Sequence, residues 1–148
     1  MPFKFRLQSY LSLKEKMEDL RKQEYGRAAR DYESEKRSLA VLEQEKALSM
    51  GLFRESLSPG QSGLNPGELN RYNVFLDRVS SMIKDQAVKV KAAQEEVEKK
   101  RAALAEAMKD RKMLDTLKDN QKLENDKEEL AAEQKAADEL VSFRSSAK

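Results

Sequence analysis

The stretch LNRYNVFLDRVSSMIKDQAVKVKAAQEEVEKKRAALAEAMKDRKML, residues 69–114, decides the fold. Steps of three and four taken alternately from Leu69 land on Tyr72, Leu76, Val79, Ile83, Gln86, Val90, Ala93, Val97, Lys100, Leu104, Ala107, Arg111 and Leu114. Only Gln86, Lys100 and Arg111 among these are polar, in a chain that is 39% hydrophobic overall. A period of 3.5 held this long keeps one apolar stripe turned toward a partner helix, the pattern of a left-handed coiled-coil seam. Beyond Leu117 the seam shifts by one position and continues through Leu123, Leu130 and Ala137. Such a shift changes the local winding without ending the helix.

Upstream lies the punctuation. Four of the five glycines and two of the three prolines fall in GLFRESLSPGQSGLNPG, residues 51–67. Proline fixes its own φ and pushes the preceding residue out of the helical region, so Ser58-Pro59-Gly60 and Asn65-Pro66-Gly67 read as turns. A second heptad row precedes them, through Tyr10, Leu13, Met17 and Leu20 and then, shifted, through Tyr25, Ala28, Tyr32, Leu39 and Leu42. The expected architecture is all-α, a long antiparallel two-helix coiled-coil hairpin forming one domain over 1–148. Its first helix covers about 4–50, its loop about 51–67 and its second helix about 68–141, followed by a short disordered tail. Charge sets the expected register: residues 1–22 carry net +3 and residues 115–139 net −5, and antiparallel pairing lays them side by side. Exposed ion pairs add little to stability, so this is a preference in register only.

Composition agrees and removes several chemistries. Ala, Glu, Lys, Leu and Arg make up about 55% of the 148 residues, the balance of a long helical protein. The chain has no His, Cys or Trp, which excludes a disulfide frame, a thiol nucleophile, Ser-His catalysis and an ordinary zinc site. No run of 18 apolar residues exists, so no membrane span is expected. The opening MPFKFRLQSYLSLKEK interleaves charges with apolar residues, unlike a secretory signal. Neither a GxxxxGK[ST] nor a GxGxxG loop is present to cradle a nucleotide. Glu98-Lys99-Lys100-Arg101 is a mixed-charge face in a chain of net charge +2, which does not suit nucleic-acid binding. The expectation is a soluble, cytoplasmic protein that is not an enzyme, with no cofactor, no metal and no small-molecule substrate.

Two groups of apolar residues fall outside the seam. Phe75 and Met82 neighbour Leu76 and Ile83, and with Val79 and Gln86 they form one stripe at helical spacing. The stripe reads either as a widened core face near the loop or as a partner-binding surface, since exposed aromatic and Met side chains favour interaction. Phe3, Phe5 and Leu7 alternate with Lys4, Arg6 and Gln8 at a period of two that fits no helix face. That segment reads either as a frayed terminus or as a basic, apolar tip for docking.

Three segments in this order carry a resemblance: FKFRLQSYLSLKEKMED (3–19), LNRYNVFLDRVSSMI (69–83) and LDTLKDNQKLENDKEELAAEQKAADEL (114–140). With the F-x-F-x-L start and the paired Tyr72 and Phe75, the chain resembles the flagellar export FliJ family over nearly its whole length. The resemblance implies a non-catalytic stalk of the flagellar type III export apparatus. In that family both termini insert into the hexameric export ATPase and promote its assembly, and the turn-proximal part contacts the cytoplasmic domain of the export gate. A role in recycling export chaperones is also implied, as is a place at the inner face of the cell membrane through these partners. The matching gate-facing positions are Leu39, Leu42, Tyr72, Phe75, Val79, Met82 and Gln86. Docking to the export ATPase falls to Phe3, Phe5, Leu7, Leu140, Val141 and Phe143. Family aromatics around Glu45 and Ser49 of the first helix have no counterpart at those positions. A general coiled-coil spacer or tether, paired between chains, is the alternative.

Overall fold

A computed structural model describes residues 2–57 and 65–147. It contains two helices, α1 (Gln8–Ser56) and α2 (Pro66–Ser146), that pack against each other as an all-α hairpin. Residues 22–103 form one compact unit, and residues 1–21 with 104–148 form another.

In the unit of residues 22–103, both rows repeat every three and four residues. From α1 come Tyr25, Ala28, Tyr32, Glu35, Leu39, Leu42, Lys46, Ser49, Phe53 and Ser56, all buried or half-buried. From α2 come Tyr72, Leu76, Val79, Ile83, Gln86, Val90, Ala93, Val97 and Lys100, again none of them exposed. Pairing is antiparallel: Glu24 meets Lys100 at 3.8 Å, Glu35 meets Gln86, and the ring of Phe53 stacks on that of Tyr72 at 4.0 Å. Leu69, expected to open the seam, stays 42% exposed in the first turn of α2.

In the unit that joins both chain ends, α1 supplies Leu11, Lys14, Glu18 and Arg21, while α2 supplies Leu104, Ala107, Arg111, Leu114 and Lys118. The apolar row expected here, Tyr10, Leu13 and Leu20, is about half exposed, and Met17 is half-buried. The seam keeps one phase along α1 instead of shifting. Leu11 is the anchor at 1% exposure, and Glu18, 4% exposed, is matched by the Arg111 guanidinium across the seam. A buried carboxylate with that partner is tolerated where an unpaired one would not be.

The helix ends differ from those expected. α1 begins at Gln8, not near residue 4, because the alternating residues before it do not suit a helix. They lead instead into a turn in which the Gln8 amide donates to the Phe5 carbonyl at 3.1 Å. The helix runs past Gly51 to Ser56, since Ser49, Phe53 and Ser56 continue the buried row and the Phe53–Tyr72 stack rewards the extension. Asn65-Pro66-Gly67 is not a turn but the start of α2. Pro66 occupies the first helical position, where its missing N–H costs nothing. The Asn65 side chain accepts from the Glu68 amide at 2.8 Å, as an N-cap does. A Cβ on Gly67 would lie 3.3 Å from that same Asn65 oxygen, a tight contact to which the capping side chain would have to give way. Ser58-Pro59-Gly60 lies outside the described residues. α2 continues to Ser146, past the expected stop at 141 and through part of the expected tail.

The expected juxtaposition of residues 1–22 with 115–139 does not form. Gln8 is already level with Lys118, whose ammonium donates to the Gln8 side chain at 2.7 Å. The basic segment of α1 therefore meets Asp110 and Arg111, and most of the acidic segment has no α1 beside it.

Gly51 has open space where a Cβ would stand. Gly51→Ala therefore gains helix propensity without a clash and stabilises the chain by about 0.5–1 kcal/mol. Asn65→Ala loses the cap and destabilises by about 1 kcal/mol. Urea melts followed by circular dichroism should move in opposite directions for the two variants.

Candidate interaction surfaces

The gate-facing residues expected from the sequence all lie in the unit of residues 22–103, and the seam divides them. Val79 is 4% exposed and Gln86 8%, both inside the helix pair. The Gln86 amide nitrogen donates to the Glu35 backbone carbonyl at 2.9 Å and also to the Glu35 carboxylate. That polar pair uses the side chain completely on the hydrogen-donating side and fixes which residue of α1 stands opposite. Leu39, Leu42 and Tyr72 are half-buried seam members. Phe75 and Met82 alone are largely open, at 40% and 47% exposure.

Their position on the helix explains the split. Tyr72, Leu76, Val79, Ile83 and Gln86 occupy the seam, so Phe75 and Met82 fall one residue to the side of it, seven apart on one edge of α2. Leu52 holds the equivalent edge position on α1, one before Phe53, and is 66% exposed. Phe53, Tyr72 and Phe75, with Leu52, Ser49 and Arg71, line a shallow groove of about 420 Å³. Its floor is the Phe53–Tyr72 stack, with ring planes within 4° of parallel. Phe53, Leu52 and Arg71 were not among the residues expected from the sequence. The signal was present: the row from Leu42 continues through Lys46 and Ser49 to Phe53, but Gly51 reads as a helix end and conceals it.

In the other unit the two groups expected to dock together are separated. Phe5 is 7% exposed and Phe3 half-buried, and with Lys4 and Gln8 they border a hollow against Lys118. Phe5 is thus packed, not frayed. Leu7 is 39% exposed. Leu140, Val141 and Phe143 are 54–70% exposed on a part of α2 that has passed beyond the start of α1. From Lys118 to Leu140 the helix rises roughly 33 Å at 1.5 Å per residue. The two termini do not build one tip, because α1 begins level with Lys118 and α2 goes on alone.

Polar chemistry at both surfaces is limited to ion pairs and hydrogen bonds. The Glu18 carboxylate, by hydrogen bonding, holds the Arg111 guanidinium above its usual pKa, and Asp115 adds to this from the next turn. Among the described residues no group of acidic side chains is arranged to hold a metal ion. No described helix is long and apolar enough to cross a membrane.

A family model described as Flagellar FliJ protein matches residues 3–148. The chain belongs to the FliJ family. Membership over essentially its whole length makes it a component of the flagellar export apparatus, in a family that is non-catalytic. No curated protein and no solved structure matches the chain. The helical hairpin agrees with the coiled-coil character expected of this FliJ chain.

Glu18 and Arg111 supply a test of the seam itself. Glu18→Leu leaves the guanidinium to Asp115 alone, and Arg111→Leu takes from the buried carboxylate its partner across the seam. Each single change should lower Tm, and the double change should recover most of the loss, because an apolar pair can replace a buried ion pair. A double variant that melts as low as the sum of the two single losses would show that the pair contributes no coupling.

Proposed function

We propose that this FliJ chain is a non-catalytic stalk that binds the hexameric flagellar export ATPase, promotes its assembly and links it to the cytoplasmic domain of the export gate. The observation that carries the proposal is the exposed aromatic and Met surface beside the Phe53–Tyr72 stack. Phe75 and Met82 stand outside the seam with Leu52 on the adjoining edge, so a partner reaches them without opening the hairpin. Contiguous apolar area of this kind favours a protein partner over solvent. Leu39, Leu42, Tyr72, Val79 and Gln86 serve that surface from beneath, by holding the helices in register.

The export ATPase is the partner of the chain-end unit. Exposed Leu140, Val141 and Phe143 supply apolar contact area, with Leu7 and the packed Phe3 and Phe5 farther back on the same unit. A stalk that binds the assembled ring better than its separate subunits favours the ring by mass action. Export chaperones are further partners under the same reading, and the chain resides in the cytoplasm, at the inner face of the membrane through the apparatus. Alternation between these partners couples ATPase assembly to events at the gate.

Two measurements test this. Purified chain added to the export ATPase should raise both the hexamer fraction and ATP turnover, with Leu140→Ser combined with Phe143→Ser abolishing the gain. Phe75→Ser combined with Met82→Ser should weaken binding to the gate domain at least tenfold while circular dichroism stays unchanged. Unaltered gate binding in that variant defeats the placement of the gate surface, and an ATPase indifferent to the chain defeats the stalk role.

A further inference from the structure

The last part of α2 and the residue after it, 119–147, are exposed at every position except Asn125, which is half-exposed. Continuing the α1-facing row beyond Lys118 gives Gln121, Asn125, Glu128 and Ala132, a row with almost nothing apolar to bury. The large apolar residues stand elsewhere: Leu123 and Leu130 are 56% and 65% exposed, and Ala137 follows at the same spacing of seven. At about 100° per residue this second stripe is rotated roughly 160° from the α1-facing row. It is therefore not the leftover end of the hairpin seam. It is a separate amphipathic face, and extending α1 would not cover it.

One flank of the stripe carries Asp119, Asp126 and Glu133, each four residues before an apolar position and seven apart, all exposed. Charges beside an apolar heptad stripe choose the partner and its orientation in helix pairing. The segment as a whole has eight acidic and four basic residues, net −4. A second copy laid antiparallel would set one acidic flank against the other, which disfavours self-pairing.

We infer that the outer face of α2 at Leu123, Leu130 and Ala137 is a docking site for a basic amphipathic helix of another protein, with Lys or Arg opposite Asp119, Asp126 and Glu133. The partner lays its apolar face on the leucine stripe and its cations along the acidic flank. This site does not depend on the gate surface or on the ATPase-docking residues. Its energetic logic is that of a helix in a groove, in which apolar anchors supply affinity and flanking charges supply selection.

The probe is a pair of synthetic 21-residue heptad peptides with identical leucine stripes, one flanked by Lys and one by Glu, titrated into the full chain by fluorescence anisotropy. The Lys-flanked peptide should bind, with affinity that falls as salt rises, and the Glu-flanked peptide should bind at least tenfold more weakly. Leu123→Ser with Leu130→Ser should weaken the Lys-flanked peptide at least tenfold, and no seam residue is touched by it. Asp119→Lys with Asp126→Lys and Glu133→Lys should reverse the preference between the two peptides, which a loss of folding would not do. Equal binding of both peptides, binding that survives the leucine changes, or no binding overturns the site. Concentration-dependent dimers in sedimentation that vanish with Leu123→Ser and Leu130→Ser overturn the choice of occupant in favour of a second copy.

Discussion

Register is the constraint from which the other features follow. A two-helix seam is thin: Leu11, Ala28, Val79 and Val97 are its buried apolar residues among those described, with Phe5 just before α1. Sliding one helix by a heptad would exchange similar apolar contacts, so apolar packing alone does not choose among alignments. The polar seam members do. Gln86 reaches both the carbonyl and the carboxylate of Glu35, and Glu18 reaches Arg111. Misalignment would strand these groups in a half-buried seam, and an unpaired buried polar group is costly. In each unit a polar pair therefore specifies what the apolar row leaves degenerate, a use of seam polar residues well attested for coiled coils.

Register in turn decides what is exposed. With Gln86 and Val79 committed to the seam, Phe75 and Met82 are displaced to its edge, and Phe53 is brought onto Tyr72. With Glu18 committed to Arg111, the row of Tyr10, Leu13 and Leu20 is turned away from the seam despite being the more apolar choice. Gln8 level with Lys118 then leaves the remainder of α2 with no α1 to cover it. The surfaces available to partners are thus consequences of a few polar contacts, not of where hydrophobic residues are most abundant.

The same logic explains what was legible in the sequence. The α2 row from Tyr72 to Leu114 could be read residue by residue, because its apolar positions are dense enough for periodicity to identify the face. The α1 row between Tyr25 and Leu42 was legible for the same reason. Near Leu11 the reading failed, since the seam there contains Lys14, Glu18 and Arg21, and their fitness depends on Asp110 and Arg111 nearly a hundred residues away. Local punctuation misled in both directions. Gly51 weakens a helix but does not end one that gains a ring stack two residues later, and Pro66 begins a helix when an asparagine precedes it. The off-seam placement of Phe75 and Met82 was legible; the hydrogen bonds of Gln86 to Glu35 and the stacking of Phe53 on Tyr72 required the partner helix.

The change of face on α2 beyond Lys118 has a physical consequence for how the chain can be used. In a hairpin of equal arms every apolar stripe is satisfied internally, and partners meet only edges. Here the inward row becomes polar at Gln121 and Asn125 where α1 begins, so the helix has no incentive to recruit an intramolecular mate. The apolar positions move to the outer side at Leu123. A helix that merely continued for solubility would need no leucines there, and leucine on an exposed helix is replaceable by Ala or Glu with little loss of helix propensity. Heptad-spaced leucines bordered by heptad-spaced carboxylates satisfy the requirements of intermolecular helix pairing more closely than those of a solvated spacer.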